Sequence, residues 1–171
     1  MAIWRFITQQ QQLIAHWVID QSGIEGMHHD IVCCIALWQG EPAQKDTVFI
    51  ENGGEECEGL KGLLVARVCL LFSFAYRLKK YQCALVKWFL PVANQPDNLT
   101  GMWIVTSEED HQGHWIQAVV ALDMILQPVH LIGMYRDDIV PIHFHFSDTL
   151  DMFHAYYVNK YIAHHMHTMA F

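Results

Sequence analysis

The chain has 171 residues, of which 53% are hydrophobic and 16% charged, and this length fits one domain that buries a sizeable core without disulfide or metal staples. Its formal net charge is −8, with 10 Lys and Arg residues against 18 Asp and Glu residues. Nucleic acid is therefore disfavoured as a partner, because a phosphate backbone is bound by clustered cations. The high apolar fraction instead predicts that a protein partner covers part of the surface.

The cysteines and the N-terminus indicate an intracellular protein, the nucleus included. The five cysteines contain no Cys-x-x-Cys pair, and most lie in apolar runs, which is typical of buried free thiols in a reducing compartment: Cys33, Cys34, Cys57, Cys69 and Cys83. Residues 1–12 lack the basic start and apolar core of a secretion signal. Arg67 and Asp123 interrupt the longest apolar stretches before they reach the roughly 20 residues of a membrane span, so none is expected.

Residues 1–40 are predicted to form an N-terminal helix and a linker. Over residues 3–20 the spacing of apolar residues is closer to a helical period than to strict alternation. Residues 21–30 are polar and contain two glycines, which predicts a loop. Residues 31–38 are uncharged and rich in strand formers, which predicts a buried strand.

Residues 41–167 are predicted to form a β-rich barrel domain around one hairpin. Residues 68–76 alternate with a period of two, which predicts a strand with one wholly apolar face. Residues 81–90 alternate in the same way, with Trp88 on the apolar face and Lys87 on the other. The short basic run between them, which comprises Arg77, Lys79 and Lys80, is interpreted as a solvated hairpin turn.

Further short strands are predicted on both sides of this hairpin, and a helix is predicted at the end of the chain. The strands cover residues 47–51, 101–106, 115–120 and 129–135, with a helical turn near Asp123. Ser147 or Asp148 can cap a helix that runs to about His165 and packs on the barrel through an apolar stripe. The predicted fold class is α+β, mainly β: a small SH3-like barrel with an N-terminal and a C-terminal helix packed on it.

Two histidine pairs have spacings that permit metal binding. His143 and His145 share one face of a strand, and His164 and His167 share one face of a helix. Hydrogen-bonded structural histidines are the favoured interpretation, and a metal-dependent enzyme with a His-x-His site is the alternative. The chain contains no nucleophile elbow, zinc-protease helix or dinucleotide-binding turn. We therefore predict no catalytic residue, no cofactor and no small-molecule substrate.

Aromatic residues around the hairpin form a candidate peptide-binding site. The hypothesis is an aromatic pocket with an acidic rim for a cationic peptide, formed by Tyr76, Tyr81, Trp88, Trp103 and Asp97, with the Glu55, Glu56 and Glu58 loop nearby in sequence. The favoured alternative is that Trp88 and Trp103 belong to the barrel core.

Collinear segments of the chain resemble the C-terminal domain of large mushroom-fungus proteins encoded by Kyakuja-Dileera-Zisupton and Plavaka-like transposons. These segments are residues 45–49, 65–68, 71–74, 83–89, 100–103, 121–123, 130–132 and 145–151, within a match that spans 45–167. The resemblance implies a transposon-derived, non-enzymatic interaction domain that binds a protein or a chromatin peptide. One departure is Leu78, which stands where that family is expected to have a turn glycine. The order of the strands is also faintly similar to a BAH module, an SH3-like barrel of chromatin proteins.

Overall fold

In the computed structural model, the described residues are 12–14, 16–23, 26–35, 44–52, 60–135 and 149–161. Their strands are β1 (Gln12–Ile14), β2 (His16–Gly23), β3 (Gly26–Ile35), β4 (Gln44–Lys45), β5 (Thr47–Glu51), β6 (Leu63–Tyr76), β7 (Lys79–Pro91), β8 (Ile104–Ser107), β9 (Gln117–Ala121), β10 (Ile125–Val129), β11 (Leu131–Gly133) and β12 (Tyr156–Val158). A four-residue helix, α1 (Thr149–Met152), and two 3-10 turns, Leu60–Gly62 and Leu122–Met124, complete these elements.

The β6–β7 hairpin is the centre of the fold and confirms the strands and the hairpin predicted around residues 68–76 and 81–90. The two strands pair antiparallel from Val65 with Phe89 to Tyr76 with Lys79. Apolar residues, several of them β-branched or aromatic, dominate both strands, and their cross-strand pairs are the unit that stabilises such a sheet. The other strands of the larger sheet are added on either side of this hairpin.

A β-bulge at Cys69 corrects the prediction of one wholly apolar face on β6. Val68 pairs with Val86 and Leu70 pairs with Leu85, so Cys69 is an extra residue on β6. An inserted residue shifts the period-two pattern by one position. Val68 and Leu70 therefore point to opposite faces, although they are two residues apart in the sequence.

The larger sheet is antiparallel and nearly closed, as expected for a mainly-β, barrel-like fold. Its main strand order is β10-β5-β6-β7-β8-β12-β11. Only His130 separates β10 from β11, so one bent segment supplies both ends of this order. The hydroxyl of Thr47 donates to the Val129 carbonyl, and the Asn159 N–H donates to the His130 carbonyl at 2.9 Å. These bonds hold the segment against β5 on one side and the end of β12 on the other.

The two faces of the sheet belong to different hydrophobic clusters. The inner cluster fills the barrel and consists of Phe49, Leu60, Val65, Phe89, Trp103, Val105, Val129, Leu131, Tyr156 and Val158. The outer cluster lies on the other face and includes Val48, Ala66, Val86, Leu122 and Val32 of β3. A third, smaller cluster lies towards the tip of the hairpin around Phe72 and Cys83. Alternate residues of β5, β6 and β7 therefore enter different clusters.

The predicted N-terminal helix and the loop after it are wrong in the part that the structure describes. β2 and β3 form an antiparallel pair from His16 with Cys33 to Gly23 with Gly26. Trp17, Val18 and Ile19 favour extended backbone, and cross-strand pairing outweighs the loosely helical spacing of the apolar residues. Residues 3–11 and 15 of the predicted helix and residues 24–25 of the predicted loop lie outside the described residues.

The prediction of a C-terminal helix that runs to about His165 is wrong over residues 153–161. The helix ends at Met152, and β12 pairs with both β8 and β11. Aromatic and β-branched residues favour this strand, and Tyr156 is only 1% exposed in the barrel interior. The predicted caps Ser147 and Asp148 and residues 162–165 lie outside the described residues. In the described part of the chain, no helix has the length and the apolar character needed to cross a membrane.

Candidate protein-interaction surface

The tip of the β6–β7 hairpin is a strained two-residue turn. Tyr76 pairs with Lys79, so Arg77 and Leu78 alone connect the strands. Both have left-handed backbone, with φ of +48° and +64°. A turn of this kind normally takes Gly, Asn or Asp, because a larger side chain is disfavoured at positive φ. Leu78 is also fully exposed, so burial does not compensate for its strain.

Cations and aromatic rings are interleaved at this tip. The Arg77 guanidinium lies 5.2 Å from the centre of the Tyr76 ring, and Lys79 Nζ lies 5.3 Å from the centre of the Tyr81 ring. Tyr81 in turn stacks on Phe74 with the ring centres 5.2 Å apart and an interplanar angle of 16°. Residues 76–81, here named the basic tip, therefore present cations that rest on their own aromatic side chains.

The structure does not bring the predicted pocket residues together. Tyr76 and Tyr81 lie close to each other at the basic tip, but Trp88 packs against the outer cluster and Trp103 is in the inner cluster, only 6% exposed. The two tryptophans thus belong to different cores. Tyr76 and Tyr81 carry their own cations, which occupy positions that a cationic peptide would take.

Asp97 has a local structural partner in the loop after β7. Its carboxylate accepts hydrogen bonds from the Thr100 N–H at 2.9 Å and the Thr100 hydroxyl at 2.8 Å. These bonds, the backbone one first, hold the pKa of Asp97 below its ordinary value. The loop also forms part of a shallow cavity of about 320 Å³, lined by Val92, Ala93, Gln95, Pro96, Asp97, Asn98 and Ile104. Asp97 organises this loop and does not form a rim around the aromatic residues of the tip.

A second exposed turn, residues 108–114, carries the opposite charge and is here named the acidic turn. It contains Glu108, Glu109 and Asp110, and the Asp110 carboxylate accepts the backbone N–H groups of Gln112 at 2.8 Å and His114 at 2.9 Å. These bonds, the one from His114 first, lower the pKa of Asp110. Asp110 therefore stays ionised while it holds the turn in place.

Strand β6 also carries a buried cation. Arg67 is 7% exposed, and its Nη1 donates to the Asp151 carboxylate at 2.7 Å. Its Nε has no hydrogen-bond partner in the structure. α1 ends at Met152, just after Asp151, and the His154 carbonyl accepts the Thr106 hydroxyl at 2.6 Å. Arg67 and Asp151 form a structural ion pair that ties α1 to β6.

The described cysteines are free thiols. Cys83 is buried, and Cys33, Cys34 and Cys69 are half-buried. Burial, followed by the nearby Cys69, raises the pKa of Cys34 to about 11, which disfavours the reactive thiolate. The described residues contain no group of three or more His, Cys, Asp or Glu side chains that can hold a metal. His143, His145, His164 and His167 lie outside the described residues, so the metal hypothesis stays a prediction.

The sequence pattern predicts the basic cluster only as a solvated turn, and the acidic turn is not among the predicted site residues. Two features of the sequence favour a functional role for the basic cluster. Arg77, Lys79 and Lys80 are three of only 10 Lys and Arg residues in the chain, and Leu78 stands at a position suited to glycine. The backbone strain and the exposure of Leu78, which the sequence does not reveal, make the basic cluster a candidate interaction surface.

No family model, curated protein or solved structure matches the chain. The resemblance to transposon-encoded proteins therefore rests on the sequence segments alone. The fold and the exposed surfaces define a mainly-β, barrel-like protein with a projecting basic hairpin.

Proposed function

We propose that this chain is a non-enzymatic, transposon-derived interaction domain that binds an acidic segment of a partner protein at the basic tip. One observation carries the proposal: three cations surround a fully exposed leucine on a strained turn. Backbone strain that the surrounding structure maintains is concentrated at functional sites. The transposon origin and the intracellular location, the nucleus included, belong to the same proposal and are supported by the sequence segments and the free thiols.

The chemistry of the tip favours an anionic partner with an apolar residue. Arg77, Lys79 and Lys80 supply positive charge, whereas Leu78 and the 45% exposed Tyr76 supply apolar contact area. A cationic peptide, the ligand named by the aromatic-pocket hypothesis, would meet Arg77 and Lys79 on the faces of the tyrosine rings. An acidic segment meets complementary charge instead.

The charge of the whole chain favours a short protein segment over a polyanion. Nucleic acid and an anionic membrane extend well beyond one hairpin tip, and a chain of net charge −8 repels them there. A short acidic segment contacts the tip alone. Exposed ion pairs contribute about 0.2–1 kcal/mol each, so even with the apolar contact of Leu78 the expected affinity for an isolated peptide is weak, with a Kd of about 1 mM.

The test is a titration of the isotope-labelled full chain followed by NMR. The probe is a short peptide of alternating glutamate pairs and leucines, and the control probe has lysine in place of every glutamate. We expect the glutamate peptide to shift the amide signals of residues 76–81. Reversing two charges in the variant Arg77→Glu/Lys79→Glu is expected to weaken the binding roughly tenfold.

Three outcomes would overturn the proposal. The first is no shift with the glutamate peptide at millimolar concentration. The second is equal or stronger binding of the lysine peptide. The third is tighter binding of single-stranded DNA or of anionic vesicles at physiological salt, because the partner class would then be a polyanion. A matched variant, Lys45→Glu, reverses an exposed lysine away from the tip and is expected to bind the glutamate peptide like the unmodified chain.

A further inference from the structure

In the half of the β6–β7 hairpin nearest its tip, one face carries apolar side chains that are partly exposed to solvent. Phe74 pairs with Tyr81, and Leu85 pairs with Val119 of β9, so all four point to the same face. The first three are half-buried, and Val119 is 41% exposed. This face, here named the hairpin strip, lies beyond the residues that fill the barrel.

The basic tip and the acidic turn lie at opposite ends of the hairpin strip. The basic tip is at one end, where Lys79 lies over Tyr81. The acidic turn is at the other end, where the Glu108 N–H donates to the Trp88 carbonyl at 3.0 Å. Lys87, which is on the same face as Leu85, lies over the ring of Trp115 next to this turn. Trp88 is nine residues beyond Lys79 on β7, a separation of about 30 Å at strand rise.

This separation excludes contact between the two charged ends within one molecule, but two molecules can bring them together. When two strips lie face to face and antiparallel, each basic tip meets the acidic turn of the other copy. Such an arrangement has a two-fold axis, so both contacts form at once and the interface closes. The apolar side chains of the two strips then cover one another.

We infer that the hairpin strip is the interface of a homodimer in which each basic tip binds the acidic turn of the second copy. The inference rests on the proposed function, since the acidic turn is here the acidic segment that the tip binds. A strip about 30 Å long and three strands wide offers roughly 450 Å² per copy, below the roughly 800 Å² per partner of a stable complex. The dimer is therefore weak and dependent on concentration, and salt weakens it.

The test is sedimentation of the full chain at several concentrations, with two charge-reversal variants. The tip variant is Arg77→Glu/Lys79→Glu, and the turn variant is Glu108→Lys/Glu109→Lys. Asp110 is retained in both because it holds the turn. We expect the unmodified chain to form dimers at low salt and each variant alone to be monomeric. An equimolar mixture of the two variants is expected to form dimers again, because each reversed end then meets its complement.

Rescue by mixing is a readout that misfolded variants cannot produce. A monomeric unmodified chain at about millimolar concentration and low salt would overturn the dimer, as would a mixture that stays monomeric or an association that grows into open chains. If the glutamate peptide still shifts residues 76–81 of a monomeric chain, the proposed function stands and only the dimer fails. If neither the peptide nor a second copy binds, both fail.

Discussion

Replacing Leu78 by glycine is expected to make the chain more stable and a weaker binder. Leu78 has a φ of +64° and is fully exposed, so the replacement relieves left-handed backbone and removes no buried contact. A residue with a Cβ pays about 1–2 kcal/mol in this conformation, while glycine loses about 0.5–1 kcal/mol more conformational entropy on folding. The net expectation for Leu78→Gly is a gain of about 0.5–1 kcal/mol in the free energy of unfolding.

Leu99 supplies the matched control for this prediction. It is 93% exposed in a turn, and it is not among the residues with positive φ. The variant Leu99→Gly therefore relieves no strain and is expected to lose about 0.5–1 kcal/mol. Equilibrium unfolding in urea, with a common slope for the three proteins, measures both changes.

The two glycine variants separate strain from simple loss of a side chain. If Leu78→Gly destabilises the chain as much as Leu99→Gly, the strained-turn reasoning is refuted. In the NMR titration Leu78→Gly is expected to weaken binding of the glutamate peptide, because the exposed leucine supplies the apolar contact. Leu78→Gly would then raise the free energy of unfolding and lower the affinity for the peptide, as expected for strain retained at a functional site.

Further predictions concern the core and two titrating groups. Phe89→Ala is expected to lower the free energy of unfolding, measured in urea, by about 3–5 kcal/mol, because Phe89 is buried and makes edge contacts with two rings. The control Leu90→Ala is expected to lower it by less than about 1 kcal/mol, since Leu90 is exposed. Similar losses for the two variants would contradict the barrel packing. Burial is the main cause that raises the pKa of Tyr156 from 10.0 to about 12, so between these pH values the unfolded chain releases a proton that the folded chain keeps. Stability should fall as the pH rises through this window, and less so in Tyr156→Phe; equal pH dependence of the two would contradict the burial of the hydroxyl. Because burial raises the pKa of Cys34 to about 11, iodoacetamide at pH 8 should alkylate this thiol far more slowly in the folded chain than in the unfolded chain. Mass spectrometry of the modified peptides measures both rates, and equal rates would contradict the burial of Cys34.

Local patterns were sufficient to predict the hairpin. Strand β5 has the bounds predicted for it, and residues 81–90 lie within β7. Both predictions succeed because period-two alternation that includes β-branched and aromatic residues is a pattern of only a few neighbouring residues. The bulge at Cys69 could not be predicted in this way. One inserted residue reverses the facing of everything after it on β6 and leaves the composition unchanged.

Strand pairing explains where the sequence predictions of the two ends failed. A capping residue and an apolar stripe favour a helix locally after residue 147, but pairing with β8 and β11 makes 156–158 a strand that helps to close the barrel. At the other end, pairing with the adjacent strand β3 makes 16–23 a strand as well. The partners of β12 lie many residues away, and the spacing of apolar residues within 16–23 does not reveal the hairpin with β3, so neither local pattern contains the pairing.

The candidate site was predicted only in its parts. Tyr76 and Tyr81 do lie together, because they flank the same turn. Sequence proximity and residue type predict that Trp88 and Trp103 join them, but the two tryptophans pack in separate cores. The significance of Leu78 depends on its backbone angle and its exposure, and neither follows from residue type.

Lysine footprinting is the most direct test that the basic tip is the contact surface. The full chain is acylated at low reagent concentration with and without the glutamate peptide, and the modified peptides are quantified by mass spectrometry. We predict that the glutamate peptide protects Lys79 and Lys80 but leaves the exposed Lys45 as reactive as before. Unchanged reactivity at the tip, or protection of Lys45 alone, would contradict the account.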